Sequence, residues 1–297
     1  MYHPQGVYPA IPTPFKRNGE LDEVGLRDLV SYYESTGVNG ILALGTIGEF
    51  AMMNEQERKR AADIIVGAAD RMEVIVNVGS PSTRDTVNMA RYLRDLNVDA
   101  VIAVEPYFYH PSPEGMVKHY LTIAEQVDIP VMAYNIPQFA GNQLSPDMLD
   151  EFSKDERIIG IKDSEGDSVK LQKFVDRAPD EFSVMVGCDG LASYGICMGA
   201  RGMMIGSASV APDICVSMYR AIVEKDLDRA FVMQRELNHF IQAMQVGTFP
   251  ASVKYMLSLQ GLPGGHVRHP LEDLSGEQKK LVDRHLKVAN AMKELVM

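Results

Sequence analysis

Short apolar runs alternate with stretches of helical period over the first three quarters of the chain. Eight runs have strand length: GVYPAIP (6–12), GILALG (40–45), VIVNVG (74–79), AVIAVEP (100–106), PVMAYNIP (130–137), IIGIKDS (158–164), FSVMVGCDG (182–190) and GMMIGSAS (202–209). They are nearly apolar throughout, as expected of strands covered on both faces. Between them, LDEVGLRDLVSYYEST, NEQERKRAADIIVGAAD and PSTRDTVNMARYLRDL carry apolar residues three or four apart with charges opposite, the mark of amphipathic helices. Such βα repetition predicts a parallel sheet. Eight units predict a closed (β/α)8 TIM barrel, since an open doubly wound sheet usually stops at five or six strands. After Ser209 the strand signals end, and PDICVSMYRAIVEK, DLDRAFVMQRELNHFIQAM, SVKYMLSLQG and GEQKKLVDRHLKVANAMKEL read as helices. The predicted organisation is a barrel over residues 1–225 and a C-terminal helical extension over 226–297 packed on it.

Composition narrows the picture little but excludes several classes. With 297 residues, 46 % hydrophobic and 23 % charged, the chain has ample material for a core. The net charge of −11 argues against a nucleic-acid partner, which needs a basic footprint. Cys188, Cys197 and Cys215 are too far apart for a CxxC metal pair, and their odd number suits thiols in a reducing compartment. His110 and His119 show no ligand spacing, so no metal site is expected. No apolar run approaches the ~18 residues that span a bilayer, and MYHPQGVYPA lacks a basic segment followed by an apolar one. No membrane partner is expected, and a cytoplasmic location is the default reading.

In such barrels the active site gathers at the C-terminal strand ends. The ends here are chemically uneven: GTIGEF with Thr46, Ile47 and Gly48, EPYFYHP with Phe108 and Tyr109, AYNIP with Tyr134, KDS with Lys162, GCDG with Gly187 and Asp189, and GSAS with Ser207. Glycine beside hydroxyl and amide groups suits a small oxygen-rich ligand held partly by backbone N–H groups. Lys162 closes an isoleucine-rich run, and Tyr134 ends the preceding strand, so across the ~4.8 Å between neighbouring strands amine and phenol can meet over one substrate. Gly160, two residues before Lys162, is expected to leave room around the amine. Burial disfavours the charged lysine and lowers its pKa from ~10.4, freeing the amine to attack a ketone. A protonated imine then acts as an electron sink for carbon–carbon cleavage, with tyrosine as acid and base. Taken singly, Lys162 also reads as a snorkelling lysine or one paired with Asp163 or Glu165, and Tyr134 as a core aromatic.

GTIGE near residue 45, YNIP at 134 and GIKDS at 160 together resemble the dihydrodipicolinate synthase / N-acetylneuraminate lyase family. PAIPTPF (9–15), PYFYHPSPEG (106–115) and LPGGHVRHPL (262–271) extend the resemblance over nearly the whole chain. It implies a (β/α)8 barrel with C-terminal helices, a homotetramer built as a dimer of dimers, and catalysis without metal or organic cofactor. It further implies that Lys162 forms the Schiff base with pyruvate or another 2-oxo acid, that Tyr134 transfers protons and that Thr46 orients Tyr134. Backbone N–H groups at Thr46 and Ile47 would hold the carboxylate, and Ile205 would line the imine pocket.

The departures bear on substrate. Ile47 replaces a second loop hydroxyl, a loss of ~1 kcal/mol in carboxylate binding. Phe108 stands where the synthases carry a tyrosine of a relay across the subunit contact, with Tyr109 one residue later. Phe139 stands where the synthases carry an arginine for the aldehyde's carboxylate, and a phenylalanine cannot pair one. GCDG lacks the acidic residue that follows the aspartate in sialate lyases. The leading expectation is a class I aldolase that reversibly cleaves a 2-keto-3-deoxy acid to pyruvate and an aldehyde. Alternatives are dihydrodipicolinate synthase, a 2-keto-3-deoxy sugar acid dehydratase, a barrel isomerase cradling phosphate at Gly202–Ser207, and a catalytically lapsed 2-oxo acid sensor.

Overall fold

The computed structural model describes residues 2–296, with side chains through residue 289. Among the described residues eight strands occur: β1 (Gly6–Pro9), β2 (Gly40–Ala43), β3 (Glu73–Asn77), β4 (Ala100–Val104), β5 (Val131–Asn135), β6 (Ile158–Asp163), β7 (Ser183–Val186) and β8 (Gly202–Ile205). Seven lie wholly within an expected apolar run, and β3 begins one residue before its run. The helices are α1 (Glu23–Glu34), α2 (Glu55–Ala68), α3 (Thr83–Asp95), α4 (Pro113–Gln126), α5 (Pro137–Ala140), α6 (Leu149–Phe152), α7 (Ser168–Arg177) and α8 (Ala192–Cys197), followed by α9 (Pro212–Val223), α10 (Leu227–Met244), α11 (Ala251–Leu259) and α12 (Gly276–Val296). Strands and helices alternate as a (β/α)8 barrel with a C-terminal helical region. No helix among the described residues is long and apolar enough to cross a membrane.

Local chemistry explains where the helices begin. Asp22, Ser82, Ser112, Asp167 and Asp226 each accept a hydrogen bond from a first-turn N–H, satisfying donors that have no partner inside the helix. Asn54 and Glu57 form a reciprocal capping box at α2.

The chain divides into two compact units, one of Met1–Gly6 and Glu73–Met204, the other of Val7–Met72 and Ile205–Met297. In the first, β3 to β8 pair side by side in chain order, all parallel. Gly6 N donates to Arg201 O at 3.1 Å. In the second, Ala10 bridges Leu42 in parallel, Ala10 N donates to Ile205 O at 3.1 Å, and α10 packs against both α9 and α12.

Two glycines turn out to serve backbone contact. A Cβ on Gly160 would lie 2.3 Å from the Ser183 carbonyl, so its missing side chain lets β6 approach β7 and opens no space around Lys162. A Cβ on Gly202 would lie 2.1 Å from the Gly6 carbonyl, so this glycine serves close packing there.

Candidate active site

Tyr134 and Lys162 face each other across β5 and β6, paired in register, and the Lys162 amine lies 3.9 Å from the centroid of the Tyr134 ring. Both are buried, at 1 % and 4 % exposure. Among the described residues Lys162 takes part in no ion pair; Glu165 is paired with Lys170, and Asp163 accepts from Asn135 Nδ2 at 2.6 Å. The snorkelling and carboxylate-paired readings of Lys162 therefore fall away.

Room for the lysine stem comes from Gly187. A Cβ there would lie 2.8 Å from Lys162 Cε, 2.0 Å from Ser164 Oγ and 3.0 Å from the Asp163 carbonyl. Gly187 N donates to that same carbonyl at 2.7 Å, which fixes the end of β7 beside β6. Asp189, half-buried, opens the short turn Asp189–Leu191 that follows.

The residues next in sequence point to the opposite strand faces, because side chains alternate. There Asn135 pairs in register with Asp163 and its side-chain amide donates also to Glu165 Oε2 at 3.1 Å, while its Oδ1 accepts from Leu144 N at 2.8 Å. Glu105, one past β4, accepts from Ile136 N at 2.7 Å, and its other oxygen is buried without a hydrogen-bond partner among the described residues. Burial pushes the Glu105 carboxyl up to about 8, with Asp163 adding to the effect, and burial also raises Asp163. This polar layer ties the YNIP and KDSE segments together behind the Tyr134–Lys162 pair. The pattern reading passed over it, although a glutamate closing the apolar run AVIAVE was a visible signal.

The loop after β4 is exposed. Phe108 (80 %) and Tyr109 (73 %) stack edge to face at 5.1 Å, and Phe108 holds φ +77°, strained for a bulky residue. Asn142 ties this loop by donating to Pro106 O and Tyr109 O and by a hydrogen bond with His110. Phe139 stands exposed (59 %) on α5. His119 is buried, hydrogen-bonded to Thr83, and held at about 4 by burial. Cys188, Cys197 and Cys215 form no disulfide among the described residues.

The remaining site candidates belong to the second unit. Thr46, Ile47 and Gly48 form a tight turn closed by Glu49 N donating to Thr46 O. The Gly48 carbonyl accepts from Thr13 Oγ1 at 2.8 Å, and a Cβ on Gly48 would press on the Leu44 backbone at 3.1 Å. Ile47, Ile205 and Ser207 are buried.

Residues 3–289 match the model of the Dihydrodipicolinate synthetase family. The chain belongs to this family. A 4-hydroxy-tetrahydrodipicolinate synthase of Methanosarcina mazei is 34 % identical over 98 % of both chains. A dihydrodipicolinate synthase from Acinetobacter baumannii, solved with pyruvate, superposes with a TM-score of 0.92 at 30 % identity, covering 96 % of this chain and 99 % of its own. A sialic acid aldolase from Ruminococcus gnavus, solved as a catalytic lysine mutant, gives 0.93 at 26 % identity, covering 99 % and 98 %. At the level these relatives share, the family member is a carbon–carbon lyase of the Schiff-base pyruvate aldolase type.

Proposed function

We propose that this enzyme reversibly cleaves a 2-keto-3-deoxy acid to pyruvate and an aldehyde through an imine on Lys162. The observation that carries the reading is the buried Lys162 amine set 3.9 Å over the Tyr134 ring in strand register, with no ion pair to it among the described residues. Lys162 attacks the ketone, and Tyr134 carries protons into and out of the carbinolamine, which loses water to give the iminium. The iminium withdraws the electron pair released when the carbon–carbon bond breaks. Backbone amides of Thr46, Ile47 and Gly48 are assigned the 2-oxo acid carboxylate, Ile205 and Ser207 the pocket wall, and Gly187 and Asp189 the sugar-chain side. The scheme calls for no metal or organic cofactor.

Phe139 supports an aldehyde without a carboxylate, because an apolar ring offers that group neither charge nor donor. The names of the curated relatives favour a second reading, condensation of pyruvate with aspartate semialdehyde. Dehydration of a sugar acid through the same imine is a third route. A homotetramer, with Phe108 and Tyr109 at a subunit contact, belongs to the same proposal, and light scattering tests it.

Incubation with pyruvate followed by borohydride reduction is expected to add one reduced pyruvyl group, mapped to the peptide bearing Lys162. A Lys162→Ala variant is expected to lose both adduct and turnover, by at least ~10³-fold for a covalent nucleophile. Absence of adduct in the parent enzyme rules out every imine route. Parallel assays with aspartate semialdehyde and with three- and four-carbon sugar aldehydes separate the substrates; a synthase rate matching the aldolase rate overturns the Phe139 argument.

A further inference from the structure

The second unit holds a fully buried ion pair outside the residues assigned to chemistry. Lys254, on α11, is 2 % exposed and Glu49, closing the GTIGE turn, is 4 % exposed, and their side chains form an ion pair. The Lys254 ammonium also donates to Thr13 O at 2.7 Å and to His266 O at 2.6 Å, so its three N–H groups meet three acceptors. The second Glu49 oxygen accepts from Arg268 N at 2.9 Å. Arg268 in turn donates to Gly19 O, Met52 O and both Glu57 oxygens, and both cations lie over the Phe15 ring.

These contacts close a ring. Thr13 gives its carbonyl to Lys254 and its hydroxyl to the Gly48 carbonyl, while Lys254 holds Glu49, the residue covalently next to Gly48. Glu49 itself sits at φ +54°, a left-handed conformation that disfavours a residue with a Cβ. A buried ion pair is weak as a source of net stability, since desolvation offsets the attraction, but it is directional. Burial pulls the Lys254 ammonium below its usual range, with the Glu49 carboxylate opposing. Strain held in place by a directional buried network, beside a turn that must present its amides, is a positioning device.

We infer that Glu49 and Lys254 are positioning residues for substrate: through Thr13 they set the Thr46–Gly48 amides for the carboxylate of the 2-oxo acid. The inference rests on the proposed function, in which that turn takes the carboxylate. It makes the C-terminal helical region part of the substrate-binding apparatus through α11.

The test follows the borohydride-trapped adduct on Lys162 as a function of pyruvate concentration in the full-length enzyme. Glu49→Gln and Lys254→Met remove the ion pair; Thr13→Val removes only the hydroxyl link and leaves no charge unpaired, so it reports even where the other two fail to fold. The half-saturating pyruvate concentration is expected to rise about tenfold in each folded variant, as for loss of one or two oriented hydrogen bonds, with the adduct plateau unchanged. A purely structural role lowers the plateau, because fewer molecules are folded, and leaves half-saturation where it was. That result, or an unchanged curve in Thr13→Val, overturns the inference while the parent enzyme still traps pyruvate. A parent enzyme that traps none overturns the proposed function instead.

Discussion

Gly187 and Glu105 show how much rests on single side chains around Lys162. Gly187→Ala brings a methyl within 2.8 Å of Lys162 Cε and 2.0 Å of Ser164 Oγ, so both side chains must shift. The trapping rate with pyruvate is expected to fall about tenfold or more, with ~1–3 kcal/mol of stability lost to overpacking; a parent-like rate would show that the lysine stem has slack. Glu105 gives a pH signature. Its folded-state value of about 8 lies above the ordinary 4.5, so between these values the folded chain keeps a proton that the unfolded chain has released. The stability this proton contributes is full below about 4.5 and is lost as the pH rises through 8, at about 1.4 kcal/mol per pH unit. Glu105→Gln cannot ionise and escapes the loss. Relative to the parent it should gain on the order of 4 kcal/mol in urea unfolding between pH 5 and pH 8, and parallel pH profiles would contradict the assignment.

At the scale of elements, the pairing of β5 with β6 decides whether Lys162 meets Tyr134. Val131 pairs with Ile158, but Met132 pairs with Gly160, so one extra residue, Ile159, bulges from β6 before the register resumes. Downstream the register is pinned by Gly160, because any side chain there collides with the Ser183 carbonyl. Deleting Ile159 should therefore spare the Tyr134–Lys162 pairing and the pyruvate adduct, at about 2–4 kcal/mol for a lost buried side chain. Gly160→Ala, a far smaller change, should disrupt the β6–β7 edge and abolish the adduct. Mass spectrometry after borohydride reduction compares the two, and adduct in Gly160→Ala alone would refute the pinning. The strands themselves were legible because each is an apolar run flanked by turn residues, and Lys162 because a charge closes such a run. The bulge was not legible: in IIGIKD every residue before the lysine is small or apolar, so both registers bury the same chemistry. For the same reason the pattern credited Gly160 with space that Gly187 provides. Which glycine faces a side chain and which faces a backbone is decided by neighbouring strands.

For the whole molecule, the expected division was a barrel over 1–225 and a helical region over 226–297. Val7–Met72 and Ile205–Met297 form one compact unit, with Lys254 and Arg268 from the C-terminal region meeting Glu49 from the N-terminal part. Lys254 was hidden in SVKYMLSLQG because a lysine inside a helical pattern ordinarily reads as a solvated position. A chain ending at residue 225 tests whether the C-terminal helices are an appendage. It would leave the Glu49 carboxylate buried without Lys254 or the Arg268 N–H, and removing one partner of a buried pair typically costs 3–5 kcal/mol. It would also strip buried apolar side chains such as Leu237, Phe240, Val253, Met256 and Leu257 from their unit. Each contributes ~1.5–3 kcal/mol when buried. Against a total of ~5–15 kcal/mol for a folded domain, these losses exceed what the shortened chain can absorb. The 1–225 chain is therefore expected to show no cooperative urea transition by circular dichroism and to form no adduct with pyruvate. A cooperative transition near the parent midpoint would mean that the loop bearing Thr46 and Glu49 holds its shape without α11, and would detach the C-terminal region from the folding of the site.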